Sequence, residues 1–144
     1  MSFDLSRSSL APLMSSPALT LLALAAGAAR DGSGLDDDTR QAMRLQVDAG
    51  VLGDFTAADG WPQLAAGLMG EKPSAMLGIL RACGALARLL PEVDALFGQA
   101  QIAPDNEMID IGEHLCRVLD LLAAQGAPLA VRVAGLLYNL GKAD

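Results

Sequence analysis

Aromatic side chains are nearly missing from this chain: one Trp, one Tyr and three Phe in 144 residues. Sheets draw on aromatic and β-branched residues, so this scarcity argues against a sheet-rich fold. Lysine is rarer still, with Lys72 and Lys142 only, and 17 acidic against 10 basic side chains give a net charge of −7. Holding a phosphate backbone needs clustered Lys and Arg. The overall field therefore disfavours nucleic acid and, for the same reason, an anionic membrane surface. A local basic stripe of Arg81, Arg88, Arg117 and Arg132 stays open. The single histidine, His114, excludes most His-rich metal sites. Cys83 and Cys116 each fall inside an apolar helical pattern. One disulfide could join them, but the setting favours buried free thiols in a reducing cytoplasm. No run reaches the ~18 apolar residues of a membrane span. The longest, Ala18 to Ala29, is broken by Thr20 and Gly27. It could be the core of a secretory signal cut at Ala26-Gly27-Ala28, but Asp4 beside Arg7 makes a poor flank. An Ala/Leu helix in a cytoplasmic protein is the preferred reading.

What the chain has in abundance is Leu and Ala, 26 of each. Both head the helix scale, and the apolar content is too high for disorder. Residues 1–15 are rich in Ser and Pro without a period and read as a flexible arm. Pro17 to Arg30 forms a first helix, capped by Ser16 and ended by Asp31-Gly32-Ser33-Gly34. Asp36-Asp37-Asp38 begins a second, where carboxylates face the positive end of the helix dipole. Its stripe is Ala42, Leu45 and Ala49, with Met43 and Val47 beside it, and Gly50 stops it. The acidic run lacks the alternating ligands and distal Glu of a calcium loop. Thr56 and Asp59 resemble a capping box before a helix over Ala57 to Met69. On it Trp61, Leu64 and Leu68 share one face, which is expected to pack inward against the next helix. Glu71-Lys72-Pro73 links to that longer helix, Ser74 to Leu89, and Pro91 opens a short one ending at Gly98.

Asn106 is placed as the cap of a helix over Glu107 to Ala124. Its stripe is Met108, Ile111, Leu115, Val118/Leu119 and Leu122; its polar face is Asp110, Glu113, His114, Arg117 and Asp120. Pro128 starts a last helix ending at Gly141. No stretch alternates with period two, so the expected fold is all-α, a compact bundle of six or seven short helices with no strand pairing. A P-loop, a G-x-S-x-G elbow, an H-E-x-x-H pair and a Cys-x-x-Cys site are all missing. Asp110 and His114, four apart, could share a proton or a metal; a solvated helix face explains them more simply.

The stretch Arg81-Ala-Cys-Gly-Ala-Leu-Ala-Arg-Leu-Leu-Pro-Glu-Val-Asp-Ala-Leu-Phe-Gly98 closely resembles bacterial CCA-adding tRNA nucleotidyltransferases, at the junction of their helical body with a C-terminal HD phosphohydrolase domain. Upstream, Met43 to Gly50 and Trp61-Pro-Gln-Leu-Ala-Ala-Gly-Leu-Met69 resemble helices of that body. Downstream, Ile109-Asp-Ile-Gly-Glu-His114 resembles the start of the HD domain. Leu136-Leu-Tyr-Asn-Leu-Gly-Lys142 resembles the family's Leu-Cys-His-Asp-Leu-Gly-Lys. The resemblance covers residues 40–142 and is faint over Ser16 to Arg30. It implies body-like helices over 16–70 and truncated, degenerate HD-like helices over 73–144, in a single domain from residue 16 onward.

The departures bear on chemistry. The family's catalytic head precedes the matched region, and this chain has no room for it. Leu19, Leu22 and Ala25 stand where the family places nucleotide-contacting arginines; Ala58, Asp59 and Gln63 replace a Glu, an Arg and a Glu. An HD site needs a first His, a His-Asp dyad and a distant Asp to hold metals that activate water. His114 stands at the first position, but the dyad is Tyr138-Asn139. A phenol with pKa ~10 stays protonated near neutrality, and Asn lacks the carboxylate charge. The chain also stops at Asp144, before the distant Asp. One imidazole cannot hold a catalytic metal, so no metal, cofactor or catalytic residue is expected. His114, Tyr138 and Asn139 are then vestigial. The resemblance implies a non-catalytic relative working through protein contacts. The Glu107–Ala124 and Pro128–Leu140 helices carry Leu and Val on more than one face, so a two-fold dimer through them is expected, with Arg132 and Tyr138 at its rim or centre; the competing account has the arm fold back over the same surface with Phe3, Leu5, Leu10 and Leu13. The alternatives are a residual tRNA-binding module linked to 3′-end processing, and a relic metal-dependent phosphohydrolase.

Overall fold

The computed structural model describes residues 16–102 and 104–140; the arm assigned to residues 1–15 lies outside them. Among the described residues eight helices and one short hairpin follow in order. They are α1 (Pro17–Ala28), α2 (Asp37–Asp48), α3 (Trp61–Leu68), α4 (Pro73–Ala82), α5 (Ala85–Leu89), α6 (Pro91–Asp94), β1 (Ala100–Ile102), β2 (Met108–Asp110), α7 (Ile111–Ala124) and α8 (Leu129–Leu137). The mostly helical bundle expected from the Ala/Leu composition is present. The count exceeds six or seven because Gly84, at φ +89°, breaks the 74–89 segment into α4 and α5. A left-handed residue cannot continue a right-handed helix.

The hairpin corrects the expectation of no strand pairing. β1 and β2 pair antiparallel, Ala100 opposite Asp110 and Ile102 opposite Met108. Asn106 does not cap a helix; it sits in the connecting loop at φ +68°, a conformation that Asn tolerates better than most residues. The cap of α7 is Asp110, whose Oδ1 accepts from Glu113 N at 3.0 Å. Its Oδ2 accepts from Gly98 N at 2.6 Å, tying the turn before the hairpin to the helix after it. Met108, placed in a buried stripe from sequence, is 65% exposed on the strand.

The helix starts follow local chemistry. Ser16 Oγ accepts from Leu19 N with Pro17 in the first turn, and Asp36 Oδ1 accepts from Thr39 N at 2.7 Å. Thr56 and Asp59 do exchange capping bonds, Thr56 N to Asp59 Oδ2 and Asp59 N to Thr56 Oγ1. They close a turn ahead of α3 rather than its first turn. α1 packs on α3 and α4, α4 on α7, and α7 on α8. The contiguous core runs from Leu21 and Leu22 through Leu68, Met76, Leu80 and Leu86 to Leu115, Leu119 and Leu136. Two glycines permit the close approaches: a Cβ on Gly67 would meet Met76 Sδ, and one on Gly70 the Ala29 carbonyl. On α2 the buried residues are Met43 and Val47, not the Ala42–Leu45–Ala49 stripe; Leu45 is 62% exposed. On α3, Leu64 and Leu68 are core as expected, but Trp61 at the first position is 38% exposed, and α3 packs mainly on α1.

Candidate functional site

Two side chains from the C-terminal helices fix the junction between α3 and α4. Arg132, on α8, is buried, with Nη1 donating to the carbonyls of Leu68 at 2.8 Å and Gly70 at 3.0 Å. Its Nε donates to Ala127 O at 2.7 Å. The guanidinium thus satisfies carbonyls left open at the C-terminus of α3, where the helix dipole also favours a cation. This corrects two expectations. Arg132 does not belong to an exposed basic stripe, and it offers almost no surface to a partner. Asp120, on α7, does the opposite task at the start of α4: it accepts from Ser74 N at 3.0 Å and Ser74 Oγ at 2.6 Å.

Beyond this clamp, α7, α8 and the hairpin enclose a cavity of about 570 Å³. It brings together the three positions singled out from the HD resemblance, His114, Tyr138 and Asn139. Helical spacing explains the convergence: His114, Leu115, Val118 and Leu122 lie on one side of α7, and Val131, Gly135 and Tyr138 on one side of α8. Leu115 and Asn139 are buried at its floor, Ile109, Val118 and Leu122 form half-buried walls, and His114 and Tyr138 stand exposed at the rim. Among the described residues no Asp, Glu, Lys or Arg lines it. Among the described residues no group of three His, Cys, Asp or Glu side chains could hold a metal ion. Asp110, proposed as a partner for His114, has both carboxylate oxygens engaged by backbone N–H groups.

The other singled-out positions lie apart. Leu22 and Ala25, where the family's arginines were expected, are fully buried in the core, and Leu19 is half-buried. A guanidinium at Leu22 or Ala25 would have to displace α3 or α4. Arg81 is exposed and lies 4.5 Å from the Phe97 ring centroid. Both thiols are free. Burial, and secondarily the neighbouring Asp120, push the Cys116 thiol up to about 11, so it is a poor nucleophile at neutral pH. The role of Arg132 was missed in sequence. Its signal is there: it is the single charge in the otherwise apolar Leu129–Leu137 segment, four residues before buried Leu136.

A cluster of short helices around one core, with a mostly apolar cavity on its last two described helices, defines a small helical module. Comparison with known proteins places it further. Over 123 residues the chain is 52% identical to the multifunctional CCA protein of Chromobacterium violaceum, which covers 85% of this chain and 30% of that protein. It is 51% identical over 106 residues to the multifunctional CCA protein of Burkholderia pseudomallei strain 1106a, covering 74% of this chain and 26% of that protein. With the one from Burkholderia ambifaria strain MC40-6 it shares 50% over 107 residues, with the same coverages. The chain is thus a relative of the multifunctional CCA proteins and spans less than a third of their length. No family model and no solved structure matches it. No helix among the described residues is long and apolar enough to cross a membrane.

Proposed function

We propose that this chain is a non-catalytic helical relative of the CCA-adding enzymes that acts through protein contacts, self-association among them, in the cytoplasm. The division into body-like helices over 16–70 and degenerate HD-like helices over 73–144 is part of this reading. The observation that carries it is the chemistry of the cavity. A hydrolytic HD centre needs carboxylate and imidazole ligands around a metal. Here the same positions offer one exposed imidazole, a phenol and a carboxamide in an otherwise apolar wall.

The support for self-association is apolar surface on the C-terminal helices. Leu115, Leu119 and Leu136 face the core, but Leu121, Val131, Leu137 and Tyr138 are 59%, 44%, 43% and 80% exposed. Apolar side chains exposed on these helices are hidden most simply by a two-fold pairing, which would bury at least ~1,000 Å² in total. Residual tRNA binding has less support, since burial of Arg132 leaves Arg81, Arg88 and Arg117 to act in a chain of net charge −7. Sedimentation at micromolar concentration tests the proposal. A dimer that Tyr138→Glu with Leu137→Glu dissociates supports it; a monomer at every concentration contradicts the self-association.

A further inference from the structure

Asn139 is the least expected side chain in the cavity. It is 6% exposed, yet among the described residues its amide has no hydrogen-bond partner. The amide is not sealed in the protein; it opens to the cavity floor. Its donor and acceptor therefore face that space rather than another protein group. The walls around it are mostly apolar, and among the described residues no Asp, Glu, Lys or Arg lines the space. The volume, about 570 Å³, lies in the range of small-molecule sites.

We propose that this cavity binds a small uncharged molecule with an apolar body and one head that both donates and accepts a hydrogen bond, such as a primary carboxamide or a lactam. The head pairs with the Asn139 amide at the floor, while the body lies against Leu115, Val118 and Leu122. The same features select against other ligands. Among the described lining residues a phosphate or carboxylate finds no Lys or Arg and an ammonium finds no carboxylate, so each would lose hydration uncompensated. The inference rests on the non-catalytic reading of the site, because a bound catalytic metal would claim the same space.

The test is a titration of the full chain with octanamide, octyl phosphate and octyltrimethylammonium, followed by amide NMR shifts and calorimetry. Octanamide should saturate with shifts at Val118, Leu122 and Asn139, and the two charged probes should bind at least about tenfold more weakly. Asn139→Leu removes the pairing and keeps the volume; it should weaken octanamide at least about three- to tenfold, the range for one neutral hydrogen bond. Ala134→Phe, at an exposed rim position lining the cavity, should abolish binding without unfolding the chain. Equal binding of all three probes, octanamide binding that neither variant changes, or no binding of octanamide overturns the proposal. Failure of the non-catalytic reading shows separately, as metal-dependent phosphatase activity, which the amide titration does not measure.

Discussion

Replacing Arg132 by Met keeps most of the side-chain length and removes the guanidinium from the α3–α4 junction. Three hydrogen bonds disappear, to Leu68 O, Gly70 O and Ala127 O at 2.7–3.0 Å. Bonds from a charged donor contribute about 1.5–3 kcal/mol each. Against that, a buried cation carries a desolvation cost of several kcal/mol that Met does not. The carbonyls left behind cost about 1–3 kcal/mol apiece if water cannot reach them. With Gly70 half-buried and Leu68 fully buried, at least one is stranded, and the expected loss is about 2–4 kcal/mol. That is a large part of the ~5–15 kcal/mol of a typical domain. Arg44 provides the control: it makes the same kind of bond, Nη1 to Ala82 O at 2.9 Å, at an exposed site, so Arg44→Met should cost under about 1 kcal/mol. Arg132→Lys should fall between, since an ammonium lacks the planar fork that reaches both Ala127 and α3. Urea unfolding followed by far-ultraviolet circular dichroism reads all three. If Arg132→Met proves no more destabilising than Arg44→Met, the buried clamp is not what holds α8 to α3.

Three further outcomes are expected. Leu68→Ala, at a core position 1% exposed, should cost about 2–4 kcal/mol, and Trp61→Ala less than half as much; equal melting temperatures for Leu68→Ala and the parent would show that α3 is not packed as described. Asp120→Ala removes both bonds to Ser74 and should cost about 1–2 kcal/mol, whereas Asp120→Asn should recover part of it. Cys116, with a thiol raised from an ordinary value near 9 to about 11, holds its proton more tightly folded than unfolded. Its stabilising share is complete below about pH 9 and is lost as pH rises toward about 11. The parent should lose stability over that interval more steeply than Cys116→Ala, and parallel curves would refute the burial of the thiol.

Local signals carried most of the helix starts. Ser16-Pro17 and Asp36 are caps because a short oxygen-bearing side chain before a helix former has one good use there, and both occupy that role. The hairpin was illegible because three-residue strands show no measurable alternation. Asp110 was read as part of a helical polar face, where it is a cap. Arg132 and Asp120 were misjudged for a related reason. A charge on a helix is normally solvated, and only the arrival of another helix end, distant in sequence, makes it structural. His114, Tyr138 and Asn139, positions that the resemblance points to, line one cavity. The buried amide of Asn139 could not be read from sequence, since nothing local distinguishes a floor residue from the exposed Tyr138 beside it.

Hydrolysis of a phosphomonoester such as p-nitrophenyl phosphate, with Mn²⁺, Ni²⁺ or Mg²⁺ in turn, tests most directly whether the His114–Tyr138–Asn139 site has lost its chemistry. The account predicts no release above the metal-only blank for the parent chain, and none for the Tyr138→His, Asn139→Asp double variant, which still lacks a further carboxylate among the described residues of the cavity. Metal-dependent turnover by the parent that disappears in His114→Ala would contradict it.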